Sequence, residues 1–182
     1  MARRGSAIVI LLRGINVGGK AKLPMAQLRE IAEGIGLADV QTYIQSGNLV
    51  ATASVAPATV AEQLRAAIEK ATGLDVPIIV RTVTQWRDVI DANPFPGAAS
   101  IGTTLHVTFL DGAAPDELVG FDAAEFAPEE FAVVGSELYL HLPDGMGRSK
   151  LAVKLHRLPG ASTGTARNWN TVRKLAELAG TA

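Results

Sequence analysis

Along the first 83 residues the spacing of apolar side chains changes period in a fixed order, and that order most restricts the fold. Ser6–Arg13, built on the unbroken apolar run Ala7–Leu12, reads as a strand buried on both faces. Pro24–Gly36 then places Met25, Leu28, Ile31, Ala32 and Ile35 at helical spacing, with Pro24 suited to the first turn and Gly36 to the stop. Val40–Gln45 and Leu49–Thr52 flank Ser46-Gly47-Asn48 as a hairpin. Pro57–Thr72 is a second amphipathic helix closed by Gly73, and Val76–Val83 is a further strand. The order β-α-β-β-α-β is that of the ferredoxin-like plait.

A similar series follows. Thr84–Ala92 reads as a short helix, and Asn93-Pro-Phe-Pro-Gly97 as a rigid turn and boundary. Thr104–Leu110 is a strand and Pro115–Val119 a short helix; Phe131–Val134 and Glu137–Leu142 are strands joined at Gly135-Ser136. Arg148–Leu158 and Trp169–Leu178 are helices. The chain is therefore expected to be α+β, with two ferredoxin-like (alpha-beta plait) units in tandem and mixed or antiparallel sheets. Residues 1–92 form the first unit. Residues 93–182 form the second, a βαββα series with an extra C-terminal helix in place of a fourth strand.

Net charge is −1, but its placement is uneven. Residues 1–29 carry six cations and no acid, and residues 145–182 carry seven cations against Glu177. Between them, 30–144 holds 17 acids and four cations. Either the basic ends pack beside the acidic middle and cancel, or both ends build one basic face that attracts an anion. The chain has no cysteine, which excludes thiolate metal sites and a Cys nucleophile and fits a cytoplasmic location. No apolar run approaches the ~20 residues that span a bilayer, so no membrane partner is expected.

Arg13-Gly-Ile-Asn-Val-Gly-Gly-Lys20 concentrates three glycines, two cations and a carboxamide directly after the first strand. Glycine at positive φ lets backbone amides turn outward around an anion, and Arg and Lys add charge and donors. Two readings stand: a turn that simply needs glycine, or a phosphate- or carboxylate-holding loop formed by Arg13, Asn16, Gly18, Gly19 and Lys20. The Gly14-to-Lys20 spacing imitates a Walker A loop, and Val107–Asp111 a Walker B strand. Ala21 stands where the Mg²⁺-binding hydroxyl would be, and three residues delay the helix, so that reading fails.

Three more clusters accompany it. Ser46 and Asn48 either shape the hairpin turn or donate to the same site. Gly145-Met-Gly-Arg148-Ser149-Lys150 is another glycine-and-cation loop before a helix, either a solvated basic helix start or, through Arg148 and Ser149, a further part of the ligand-binding set. Thr165-Ala-Arg167-Asn168-Trp-Asn170-Thr171 leads into the last helix, which Asn168 or Asn170 would cap. Capping leaves Arg167 unexplained, and a helix start beside an Arg is also an anion site. His106 and His141 are expected to share one strand face with Thr108 and Tyr139, opposite Leu105/Val107/Phe109 and Leu138/Leu140/Leu142. No ligand spacing for a metal, Ser-His-Asp pattern or carboxylate pair is legible.

The segments Leu12–Lys20 with Pro24-Met25, Tyr43–Asn48, Asn93–Pro96, Gly147–Lys150 and Thr165–Thr171 together resemble an uncharacterised bacterial family, domain of unknown function 1697. The resemblance implies two ferredoxin-like units and no activity. Members often carry Asn where this chain has Ala21. The functional expectation is a phosphorylated or other anionic ligand held by the Arg13–Lys20 loop together with Arg167, Asn168 and Asn170. The alternatives are RNA or other nucleic acid along the basic chain ends, an enzyme using the same loops, and an interaction module without a ligand. Cofactor and oligomeric state are not fixed by the sequence.

Overall fold

The computed structural model describes residues 5–19, 21–158, 160 and 163–180. Lys20 falls outside these. Contacts divide the chain into two compact units: residues up to Asp88 together with those from Lys174 on, and Val89–Arg173.

In the first unit β1 (Ser6–Leu12), α1 (Met25–Gly34), β2 (Ala38–Tyr43), β3 (Asn48–Ala53), α2 (Pro57–Thr72) and β4 (Ile78–Thr82) follow one another. The sheet order is β2-β3-β1-β4, with every neighbouring pair antiparallel. Ile8, Ile10 and Leu12 of β1 share one core with Leu28 and Ala32 of α1 and with Val60, Leu64 and Ile68 of α2. Each such buried Ile, Leu or Val side chain stabilises the fold by roughly 1.5–3 kcal/mol relative to exposure. Val9 and Leu11, on the other face of β1, are fully buried as well, which explains why its apolar run does not alternate. Pro24 caps α1 from extended backbone, and Gly73 closes α2 at φ 73°.

α3 (Val83–Asp91) leads to the second unit, which contains β5 (Leu105–Phe109), α4 (Asp116–Val119), β6 (Glu130–Val134), β7 (Glu137–His141) and α5 (Lys150–His156). Then comes a strand that the sequence pattern did not announce, β8 (Thr165–Asn168), which pairs antiparallel with β5 before α6 (Trp169–Leu178) begins. The sheet order β6-β7-β5-β8 repeats that of the first unit. The second series is therefore a complete βαββαβ with a C-terminal helix in addition, not a helix in place of the fourth strand. β8 has only four residues, and its buried positions are Thr165 and Arg167, so it carries no apolar alternation. Its lead-in, Gly164, is buried so close to β5 that a Cβ would come within 2.6 Å of Thr108 Cγ2.

Leu110, Leu138, Leu140 and Leu142 pack with Leu118 of α4 and Leu151 and Leu155 of α5 into one core. Both units are thus ferredoxin-like α+β plaits with antiparallel sheets.

Candidate functional site

The glycine loop leaves β1 and immediately doubles back. Its backbone is left-handed at Gly14 (φ 72°), Asn16 (55°), Gly18 (61°), Gly19 (75°) and Ala21 (49°). Asn16 holds this shape. Its Nδ2 donates to Leu23 O (2.9 Å) and Gln45 O (2.8 Å), its Oδ1 accepts from Leu23 N (2.9 Å), and its amide donates to Ala21 O (3.1 Å). Asn is also among the few non-glycine residues that tolerate positive φ. Ile15 and Leu23 are buried anchors on either side. α1 begins only at Met25, and the sheet is antiparallel, so the loop is not a P-loop.

The 44–47 turn lies against this loop. Leu12 N donates to Gly47 O at 2.8 Å. A Cβ on Gly47 would meet Leu12 Cβ at 2.7 Å and Ile15 Cδ1 at 2.9 Å, and its φ is 77°, so only glycine fits. Asn48 is fully buried; its Nδ2 donates to Tyr43 O and Ser46 Oγ. Ser46 and Asn48 thus stand beside the glycine loop, but their side chains are engaged in holding the turn. The Asn16 carboxamide likewise has both donor hydrogens engaged within the chain.

What the loop leaves outward is a smaller set. The Arg13 guanidinium is half-buried and has no side-chain partner among the described residues. The amides of Gly18 and Gly19 make no hydrogen bond among the described residues, and both glycines are exposed. Lys22 and Val17 are exposed beside them. Lys20 was expected here but lies outside the described residues.

The 145–150 loop is organised differently. Ser149 is buried, and its hydroxyl accepts from Ala152 N at 2.8 Å as the cap of α5. Glu129 Oε2 accepts from Leu151 N at 2.8 Å. The helix start is therefore already occupied by a carboxylate of the chain itself. Nothing in the sequence marks Glu129 for this, since it stands 22 residues away. Arg148 is exposed.

In the second unit Asn168 Oδ1 accepts from Thr171 N at 2.9 Å and caps α6. Asn170 is exposed, and its carboxamide lies where a Cβ on Gly102 would be. Arg167 is buried on β8 at 8% exposure and donates to Thr165 Oγ1 (2.7 Å) and Ala166 O (2.8 Å). Burial pushes its pKa down to about 10, so it keeps its charge at neutral pH. Arg13 and Arg167 fall in different units.

The histidine platform is overturned by the strand register. His106 lies opposite Leu140, and His141 opposite Leu105. Directly opposed residues share a face, so the two histidines point to opposite sides of the sheet, as do Thr108 and Tyr139. Tyr139 is buried, its hydroxyl donates to Val89 O at 2.6 Å, and burial, aided by the Glu137 charge, raises its pKa. His141 Nδ1 meets Glu130 Oε2 at 3.0 Å, with the Phe95 ring 6.1 Å away. His106 is buried, its Nδ1 has no partner among the described residues, and burial lowers its pKa.

A family model described as "Protein of unknown function (DUF1697)" matches residues 6–139. Among solved structures, a conserved bacterial protein, SP0830 from Streptococcus pneumoniae, superposes with a TM-score of 0.78 at 22% identity, over 96% of this chain and 98% of that one. That likeness shows the fold. No curated protein matches. Among the described residues no helix is long and apolar enough to cross a membrane.

Proposed function

The chain belongs to the DUF1697 family of proteins of unknown function, and from the site itself we propose that it holds a phosphorylated or similarly anionic small molecule at the 13–22 loop. One observation carries this reading. The loop is braced by Asn16 and Gly47, yet it leaves the Arg13 guanidinium and the Gly18 and Gly19 amides without internal partners among the described residues. A braced loop with unengaged cationic and amide donors is preorganised for an anion, because the ordering entropy is met in folding. Asn16, Ser46 and Asn48 act here by shaping the loop. The reading is confined to the first unit.

A thermal-shift series of inorganic phosphate, sugar phosphates and nucleotides tests it. A ligand at about 100 times its Kd stabilises the native state by ~2.7 kcal/mol. For a chain of this size that raises Tm by roughly 5–10 °C. Arg13→Ala removes a charge-assisted contact of about 1.5–3 kcal/mol and should weaken binding roughly tenfold to a hundredfold. Unchanged affinity in Arg13→Ala, or no shift with any phosphate-bearing compound, overturns the reading in favour of a purely structural loop.

A further inference from the structure

The second unit separates its charges along the chain. From Val89 to Asp144 it carries ten acids and no Lys or Arg, and every cation of the unit follows Gly147. Four of those cations, Arg148, Lys150, Lys154 and Arg157, sit at and along α5, and all four are exposed. Lys150, Lys154 and Arg157 recur at i, i+4 and i+7, which places them on one helical face. A neighbouring flank of the helix is sealed: Leu151 and Leu155 are 0% and 2% exposed within the unit's core. None of the four cations makes an ion pair or side-chain hydrogen bond among the described residues. The α5 carboxylate contact, Glu129, is directed to the Leu151 amide.

A row of like charges on a short helix costs stability, because neighbours at i and i+4 repel. The row spans about 10.5 Å at 1.5 Å per residue. Over that length a nucleic acid strand presents about three phosphates. A membrane surface fits less well, since an interfacial helix needs a broad apolar face free to insert, and on α5 Leu151 and Leu155 are closed inside the unit and only Val153 is exposed. The sheet offers no base-stacking platform either, because Tyr139 is buried and the histidines point to opposite sides.

We propose that the exposed face of α5, with Arg148, is a docking strip for the phosphate backbone of a nucleic acid strand, held without reading its bases. The surface is separate from the 13–22 loop and does not depend on the small-molecule reading.

Fluorescence anisotropy of the full chain with labelled single-stranded oligonucleotides of several sequences tests this. Affinity should be the same across sequences. With four phosphate contacts it should fall about 50-fold between about 50 and about 200 mM salt. K150Q/K154Q/R157Q should cut the log-log salt slope from about −2.8 to about −0.7. K150E/K154E/R157E should abolish binding, with a thermal melt confirming that each variant is folded. K70Q, an exposed cation on α2, should bind as the wild type does. Three results each overturn the proposal: no binding at the lower salt, wild-type binding by the charge-reversed variant, or binding confined to phosphatidylserine-containing vesicles.

Discussion

The 13–22 loop of the first unit and the 145–150 loop of the second are alike in composition and opposite in what they do with it. Both combine glycine with cations ahead of a helix. In the second, the chain supplies its own anion: Glu129 accepts from the Leu151 amide, and Ser149 caps the same helix start. In the first, the internal carboxamide of Asn16 braces the loop without neutralising it, and Arg13 has no side-chain partner among the described residues. A glycine-and-cation motif therefore does not mark an anion site by itself. What distinguishes the two is whether the fold returns a carboxylate to the loop.

The largest effect is expected at the brace. Asn16→Ala removes three side-chain hydrogen bonds and leaves the buried Leu23 backbone unsatisfied. It should cost about 2–3 kcal/mol in urea unfolding at unchanged m-value. A cost below about 0.5 kcal/mol would show that the loop keeps its form without Asn16, and the contrast with Ser149 would fail.

Next comes the internal anion. Glu129→Ala should destabilise by about 1.5 kcal/mol. In an Arg13→Ala background, inorganic phosphate should restore part of that loss and leave the Arg13→Ala parent unaffected. Equal stabilisation of both would mean that Glu129 does not fill an anion position. The smallest effect is at Ala21, whose φ of 49° strains a side chain that cannot bond back to its own backbone. Ala21→Asn should gain about 0.5 kcal/mol, because Asn tolerates this region. A loss would point to a steric constraint on the loop that its backbone angles do not reveal.

Most of the fold was legible because apolar periodicity reports burial directly. β1 reads as an unbroken run because both of its faces are buried, and α1 and α2 as stripes because each buries one apolar side against the same core. β8 was not legible. Its inward residues are Thr165 and Arg167, and its place in the sheet comes from pairing with β5 rather than from its own pattern. The histidine error has a different origin. Alternation fixes which residues of a single strand share a face, but not how two strands are registered. A shift of one residue between β5 and β7 exchanges the faces, and the observed pairing of His106 with Leu140 is that shift. At the candidate site, Arg13 and the glycines were visible as chemistry. Asn16, Ser46 and Asn48 looked like ligand donors because a carboxamide or hydroxyl serves a turn as readily as a ligand, and only the distances separate the two uses.

His106 gives the second unit a proton-linked weakness. With Nδ1 unpartnered among the described residues and Leu140 and Asn168 as its neighbours in register, the buried imidazole is held neutral. The unfolded chain binds a proton there near pH 6.5, whereas the folded chain does so only at lower pH. Unfolding thus takes up a proton. Stability is complete above about pH 6.5 and declines as the pH falls toward the folded-state value, by at most about 1.4 kcal/mol at pH 5.5. His106→Leu should flatten the difference between urea midpoints at neutral and mildly acidic pH, and an unaltered difference would place the acid sensitivity elsewhere. One ring nitrogen thus couples the folding of a sheet that carries no other buried histidine to the acidity of its surroundings.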